Sequence, residues 1–174
     1  MTDVAAGEIP APEIPMPPDR APAVALPDAE GTIHDLSAQR GHWVVLYFYP
    51  TDDTPGCTTE ACEFRDTQDV FAERDAIVWG VSPQGKTSKA KFRSKFGLQF
   101  PLLTDADHAV AESYGSWVEK DNYGKKYMGT ARRTFLIDPQ GKVARTWPKV
   151  KPAGHAAEVL AALDEARADA RAEA

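Results

Sequence analysis

The chain has 174 residues, of which 43% are hydrophobic and 26% charged, with a formal net charge of −6 at pH 7. This length suits one domain with enough bulk for a core, and the composition is that of a soluble globular protein. The acidic balance argues against a nucleic-acid-binding surface. Because no apolar run reaches the length of a membrane span and the first residues lack the pattern of a secretory signal, we expect a cytoplasmic protein without membrane or nucleic-acid partners.

The first twenty residues differ in composition from the rest of the chain. Proline and alanine dominate them, and such a segment offers too few large apolar side chains to build a core. We therefore expect residues 1–20 to form an extended or disordered N-terminal extension and residues 21–174 to form the folded domain.

Strand and helix patterns alternate along the predicted domain. Residues 43–49 are a continuous apolar run, typical of a strand buried on both faces of a sheet. In chain order, the later patterns predict a helix over 57–73, a buried strand over 76–82, a helix over 88–96, a short strand over 101–103, a short helix over 107–114, a mostly irregular stretch over 115–129, strands over 132–137 and 143–147 joined by a turn, and a helix over 154–170. This alternation indicates an α/β fold with a mixed central β-sheet flanked by helices.

The most informative residue is Cys57, which follows the apolar run and a turn rich in proline and glycine. The turn places Cys57 in the first turn of the predicted helix, where unpaired N–H groups and the helix dipole favour an anion. A thiol in such a position tends to ionise, and the thiolate is the reactive form. Because a second thiol, Cys62, follows so closely, the pair indicates redox catalysis or a metal site rather than a structural disulfide. An inert buried thiol is the alternative for Cys57.

The residues around Cys57 resemble the active-site loop of the peroxiredoxins. Pro50, Thr54 and Cys57 match the family signature, a proline, three residues, a threonine, two residues and the reactive cysteine. The longer run 54–62 is similar to the peroxiredoxin Q branch, also called bacterioferritin comigratory protein, and the similarity extends over residues 20–165. The resemblance implies a thioredoxin-like fold, commonly monomeric, and a thiol-dependent peroxidase that needs no cofactor.

The same resemblance implies a role for each cysteine. Cys57 would attack a hydroperoxide, hydrogen peroxide or an organic one, and become a sulfenic acid. Cys62 would condense with it to an intramolecular disulfide, which thioredoxin or a similar thiol reductant would reduce. In an unbroken helix the two Cα atoms lie about 8–9 Å apart, whereas a disulfide tolerates less than about 7 Å. The helix would therefore have to unwind, unless Cys62 is a core residue and an external thiol resolves the sulfenic acid.

The resemblance also assigns the residues of the turn. Pro50 would shield the thiolate from water, Pro55 and Gly56 would shape the turn, and Gly56 would let substrate approach the backbone N–H groups. Thr54 would hydrogen-bond the thiolate and the peroxide. The simpler interpretation of Thr54 is an N-cap, followed by a proline at the first helical position.

A fixed cation is expected from the strand predicted over 132–137. Arg132 and Arg133 are neighbours and so face opposite sides of that strand. The family pattern selects Arg132, which would stabilise the Cys57 thiolate and polarise the peroxide. We expect Arg133 to face solvent, and this is also the alternative for Arg132. Glu60 either holds the Arg132 side chain in position or is a surface residue whose negative charge is favoured by the helix dipole.

The two cysteines are also compatible with other functions. General thiol–disulfide exchange usually employs two residues between its cysteines, whereas four separate Cys57 from Cys62. A redox-sensing interaction protein would use the same thiol switch. The histidines are scattered without metal-ligand spacing, and two thiolates alone fall short of a zinc site, so we expect no bound metal.

Overall fold

The computed structural model describes residues 12–173. Its strands and helices are, in chain order, β1 (Ala25–Pro27), β2 (Ile33–Asp35), a 3-10 turn (Leu36–Gln39), β3 (Trp43–Phe48), α1 (Pro55–Glu73), β4 (Ala76–Ser82), α2 (Lys86–Phe96), β5 (Leu102–Thr104), α3 (Ala109–Ser113), β6 (Trp117–Asn122), β7 (Lys125–Thr130), β8 (Arg133–Ile137), β9 (Val143–Trp147) and α4 (His155–Ala172). The described helices include none that is long and apolar enough to cross a membrane.

The central sheet has five strands in the order β5-β4-β3-β8-β9. β3 pairs in parallel with β4, and β4 with β5, whereas β8 is antiparallel to both β3 and β9. The predicted mixed sheet is therefore confirmed. β3 lies in the middle of this sheet with all of its residues buried, as its continuous apolar run predicts.

Alternate residues of β3 face two separate hydrophobic clusters. Val45 and Tyr47 lie in the cluster that contains Phe64 of α1 and residues of α4. Val44 lies in the cluster on the other face, with Tyr114 at the end of α3. The period of two along a strand thus separates two layers of side chains, and α1 is held against one of them.

The described part of the predicted N-terminal extension, residues 12–20, lies against the domain. The Thr146 hydroxyl donates to the Pro15 carbonyl at 2.8 Å, and the Val143 N–H donates to the Asp19 carbonyl at 2.8 Å. These contacts cost little conformational entropy, because a proline-rich chain is already restricted before it is held. Residues 1–11 of the predicted extension lie outside the described part of the chain.

The prediction of an irregular stretch over 115–129 is wrong. β6 and β7 form an antiparallel hairpin over much of it. Tyr123 and Gly124 make its turn with φ angles of 53° and 83°, the left-handed conformation that two-residue hairpin turns favour. The hairpin is missing from the sequence prediction because most of its side chains are polar and exposed, without the apolar alternation of a half-buried strand.

Candidate active site

The loop between β3 and α1 places Cys57 in the first turn of α1. Thr54 occupies the N-cap position in an extended conformation, and Pro55 is the first helical residue. The Thr54 hydroxyl does not cap the helix, however, because it donates to the Thr51 carbonyl at 2.9 Å. The Cys57 side chain is only 1% exposed, so its sulfur is surrounded by protein groups rather than by bulk water.

Arg132 supplies a cation to that sulfur, since its Nη2 donates to Cys57 Sγ at 3.2 Å. Arg132 immediately precedes β8, and the antiparallel register pairs Arg133 with Phe48 at the end of β3. The start of β8 therefore meets the end of β3 at one edge of the sheet. This pairing of β3 with β8 brings Arg132 to Cys57, although the two residues lie 75 positions apart in the chain.

Arg133 does not face solvent as expected. It is half-buried, and its Nε is buried without a hydrogen-bond partner among the described residues. Burial lowers the pKa of its guanidinium. The neighbour of the site arginine is thus also partly enclosed, on the opposite face of the strand.

Glu60 holds the other side of the Arg132 guanidinium. Its carboxylate is 1% exposed and accepts from Arg132 Nη1 at 2.8 Å. Burial raises the pKa of Glu60 to about 7, although the positive charge of Arg132 opposes this rise. Glu60 is therefore an interior partner of Arg132 rather than a surface residue, and one carboxylate oxygen lacks a hydrogen-bond partner within the described part of the chain.

Gly56 allows the guanidinium to approach the helix closely. A Cβ at this position would lie 3.2 Å from Arg132 Nη2 and 3.5 Å from Pro152 Cγ. Any larger side chain would therefore press on the group that contacts the sulfur. Pro50 is half-buried before the helix, and Pro55 is exposed at its start.

Cys62 lies farther along α1 as a half-buried free thiol, and Cys57 is also free. The helix is continuous from Pro55 to Glu73, which keeps the two Cα atoms about 8–9 Å apart. The structure therefore brings Arg132 to Cys57 but does not bring Cys62 into bonding distance of it.

Sequence reasoning missed a buried polar group beside the loop. Lys89 lies in the helix predicted over 88–96 and has the residue type of a solvated helix face, yet it is 0% exposed and lies 3.4 Å from the Asp52 carboxylate. Gln84 contacts the backbone of the same loop. No spacing rule identifies such residues, because their burial depends on how α2 packs against the loop. Over residues 12–173 no group of three or more His, Cys, Asp or Glu side chains is arranged to hold a metal ion.

Comparison with known proteins identifies the family of the chain. The sequence profile of the AhpC/TSA family matches residues 17–146. The chain is 48% identical over 146 residues to peroxiredoxin Bcp of Bacillus subtilis strain 168, covering 84% of this chain and 93% of the relative. It is 40% identical over 147 residues to peroxiredoxin Bcp of Escherichia coli K12, covering 84% and 94%.

Solved structures give the same relationship. A mutant of PrxQ from Xylella fastidiosa aligns with a TM-score of 0.83 at 35% identity, covering 88% of this chain and 97% of that one. Complexes of the Xanthomonas campestris bacterioferritin comigratory protein, described for their insight into alkyl peroxide reduction, align with a TM-score of 0.78 at 44% identity, covering 82% and 90%. The expected thioredoxin-like fold is thereby confirmed. The chain belongs to the AhpC/TSA family, in its Bcp/PrxQ branch of peroxiredoxins, and is an oxidoreductase of the peroxidase class.

Proposed function

We propose that this chain reduces hydrogen peroxide and organic hydroperoxides by way of a sulfenic acid at Cys57. The observation that carries the proposal is the contact between Arg132 Nη2 and Cys57 Sγ in the first turn of α1. The guanidinium and the helix N-terminus both stabilise an anionic sulfur. A thiolate that is held in this way is a nucleophile suited to the O–O bond.

In the first step, the Cys57 thiolate attacks the terminal oxygen of the hydroperoxide. An S–O bond forms, the O–O bond breaks, and the leaving oxygen takes a proton to become water or an alcohol. Arg132 lies where it would stabilise negative charge on the peroxide oxygens. Because the Thr54 hydroxyl proton points to Thr51, the Thr54 oxygen is free to accept a hydrogen bond from the peroxide O–H.

In the second step, the Cys62 thiol attacks the sulfenic sulfur, and water leaves as the disulfide forms. The helical separation of the two residues exceeds what a disulfide tolerates, so the first turns of α1 must unwind. Unwinding would have to break the Arg132–Glu60 ion pair and the hydrogen bonds from the Gly154 N–H to the Glu63 carboxylate. It would also expose Cys57 and Ala61, which are buried in the hydrophobic core. Phe64 is fully buried against Tyr47, and we place the end of the unwound segment before it.

The cycle closes when a dithiol reductant of the thioredoxin type reduces the disulfide. One of its thiols attacks the Cys57–Cys62 bond, and its second thiol releases the mixed disulfide. Two electrons thus pass from the dithiol to the peroxide, and the sulfur chemistry requires no bound cofactor.

The test measures peroxide consumption coupled to NADPH oxidation through thioredoxin reductase and thioredoxin. The parent chain is expected to turn over, and Cys57→Ser is expected to be inactive. Cys62→Ser tests the second step separately, because it leaves the Arg132–Cys57 contact in place. Disulfide exchange without peroxide consumption would instead identify a general thiol–disulfide oxidoreductase, and turnover by Cys57→Ser would refute the proposal.

A further inference from the structure

A cluster of buried polar side chains lies beside the loop that carries the site. We call it the Asp52 cluster, and its members are Tyr49, Asp52, Ser82, Gln84, Ser88 and Lys89. Its centre is enclosed, because the Lys89 side chain is 0% and the Asp52 side chain 1% exposed. The proposed chemistry uses none of these groups.

Gln84 joins this cluster to the backbone of the loop at two points. Its Nε2 donates to the Pro50 carbonyl at 3.0 Å, and its Oε1 accepts from the Asp52 N–H at 3.1 Å. The Ser82 hydroxyl donates to the same Oε1 at 2.7 Å, which fixes the orientation of the amide. One side chain thereby holds the peptide groups on both sides of Thr51.

Asp52 and Lys89 anchor the same segment from α2. Lys89 Nζ lies 3.4 and 3.5 Å from the two Asp52 carboxylate oxygens. The Ser88 hydroxyl donates to Asp52 Oδ2 at 2.7 Å, and the Tyr49 hydroxyl donates to Oδ1. A buried pair that has its remaining hydrogen bonds satisfied holds one geometry rather than many.

The backbone segment that Gln84 holds, from Pro50 to Asp52, leads directly to the reacting groups. The Thr51 carbonyl, which belongs to the same peptide group as the Asp52 N–H that Gln84 holds, accepts the Thr54 hydroxyl at 2.9 Å. Thr54 is the N-cap residue of α1, and Cys57 follows it in the first turn. The orientation of the Thr54 oxygen thus depends on where Thr51 lies.

We propose that Gln84 is a positioning residue for the attack on the hydroperoxide, with Asp52 and Lys89 as its anchor. Gln84 fixes the Pro50–Asp52 backbone, and through Thr51 it orients the Thr54 oxygen toward the peroxide. The inference rests on the proposed function, because it assumes that a peroxide binds between Thr54 and Cys57. It differs from the role of Arg132, since Gln84 acts on the position of the peroxide and does not contact the sulfur.

The test separates peroxide positioning from thiolate reactivity. In a Cys62→Ser background, where Cys57 is the only thiol, stopped-flow measurements give the rate of oxidation by hydrogen peroxide, and iodoacetamide gives the rate of alkylation. Gln84→Met removes both loop hydrogen bonds at similar side-chain length. We expect its peroxide rate to fall by about tenfold or more, because small misplacements of reacting groups are costly, while alkylation stays within about twofold.

Thr104→Val is the matched control. The Thr104 hydroxyl donates to the main-chain carbonyl of Gln84 at 2.9 Å. This variant therefore loses a neighbouring hydrogen bond but keeps the hydrogen bonds of the Gln84 side chain to the loop. Its two rates are expected to match those of the parent. Lys89→Met is a second test variant, because it removes the ion pair that anchors Asp52. Circular dichroism checks that it folds, and we expect the same selective loss of the peroxide rate.

Each failure has a distinct meaning. A parent chain that does not react with peroxide refutes the proposed function itself. A reactive parent with an unchanged peroxide rate in Gln84→Met overturns only the role of Gln84. An equal loss of peroxide and alkylation rates in Gln84→Met, or an equal loss in Thr104→Val, would also overturn it, because the effect would then not concern the position of the peroxide.

Discussion

Arg132 and Glu60 form a nearly buried ion pair, with Nη1 of the arginine 2.8 Å from Oε1 of the glutamate. The other guanidinium nitrogen, Nη2, contacts the Cys57 sulfur. A planar guanidinium with both ends bound cannot rotate away from the sulfur without losing a charged partner. The pair therefore fixes the cation at the site, and it also connects that cation to the helix whose unwinding we propose.

Replacement of Arg132 is expected to slow the first oxidation of Cys57 strongly. Arg132→Met removes the donor to the sulfur and to the peroxide oxygens, and loss of such a donor typically costs about 10²–10³-fold in rate. Stopped-flow oxidation by hydrogen peroxide measures the effect. Arg133→Met is the control, because Arg133 lies on the opposite face of the strand. A larger loss in Arg133→Met would mean that the site uses the other arginine.

Replacement of Glu60 is expected to change how stability depends on pH. The pKa of Glu60 is raised from 4.5 to about 7 by burial, so in this window the folded chain retains a proton that the unfolded chain has lost. The free energy of unfolding should therefore fall as pH rises from about 4.5 to 7, by up to about 3 kcal/mol from this group. In Glu60→Gln this component should disappear.

Urea unfolding at several pH values across that window measures the Glu60 effect. Glu73→Gln, at the end of α1 and on its surface, serves as the control and should keep the pH profile of the parent. Identical profiles for Glu60→Gln and the parent would show that Glu60 does not titrate there.

Removal of the second thiol is expected to stop the cycle after one step. Cys62→Ser should consume one equivalent of peroxide and accumulate a sulfenic acid at Cys57, since no internal thiol remains to condense with it. Trapping with dimedone followed by mass spectrometry locates the modified sulfur. Undiminished turnover with thioredoxin would show that an external thiol resolves the sulfenic acid.

Disulfide formation is expected to expose the beginning of α1. Amide hydrogen exchange over residues 55–63 should be faster in the oxidised chain than in the reduced one, because the disulfide cannot form within a regular helix. Amides of α4 away from its first turn provide the internal control and should change little. Equal protection of α1 in both states would contradict the unwinding.

Removal of the N-terminal segment is expected to affect stability but not chemistry. Deletion of residues 1–20 removes the contacts of Pro15 and Asp19 with β9, which should cost about 1–2 kcal/mol. The peroxide rate should stay that of the parent. Deletion of residues 1–11 keeps those contacts, so its melting temperature should be higher than that of the longer deletion. A large loss of rate in the longer deletion would place the segment in the site.

Local sequence patterns were sufficient for the parts of the fold that depend on neighbouring residues. The apolar run of β3 predicted a buried central strand, and the helix predicted over 57–73 begins within two residues of Pro55, the observed first residue of α1. Cys57 could be placed at a helix N-terminus for the same reason, because caps and periodicity act over a few residues. The family resemblance selected Arg132, which periodicity alone did not distinguish from Arg133.

Tertiary packing decided which charged residues are buried. Glu60 and Lys89 carry the residue types of a solvated helix face, yet both are buried because Arg132 and Asp52, from other parts of the chain, provide their counter-charges. The β6–β7 hairpin likewise depends on pairing between two polar strands. The sequence alone determined where Cys57, the proposed nucleophile, lies along the chain. Only the assembled sheet and helices determined its charged surroundings, because a buried charge is stable only where a distant partner meets it.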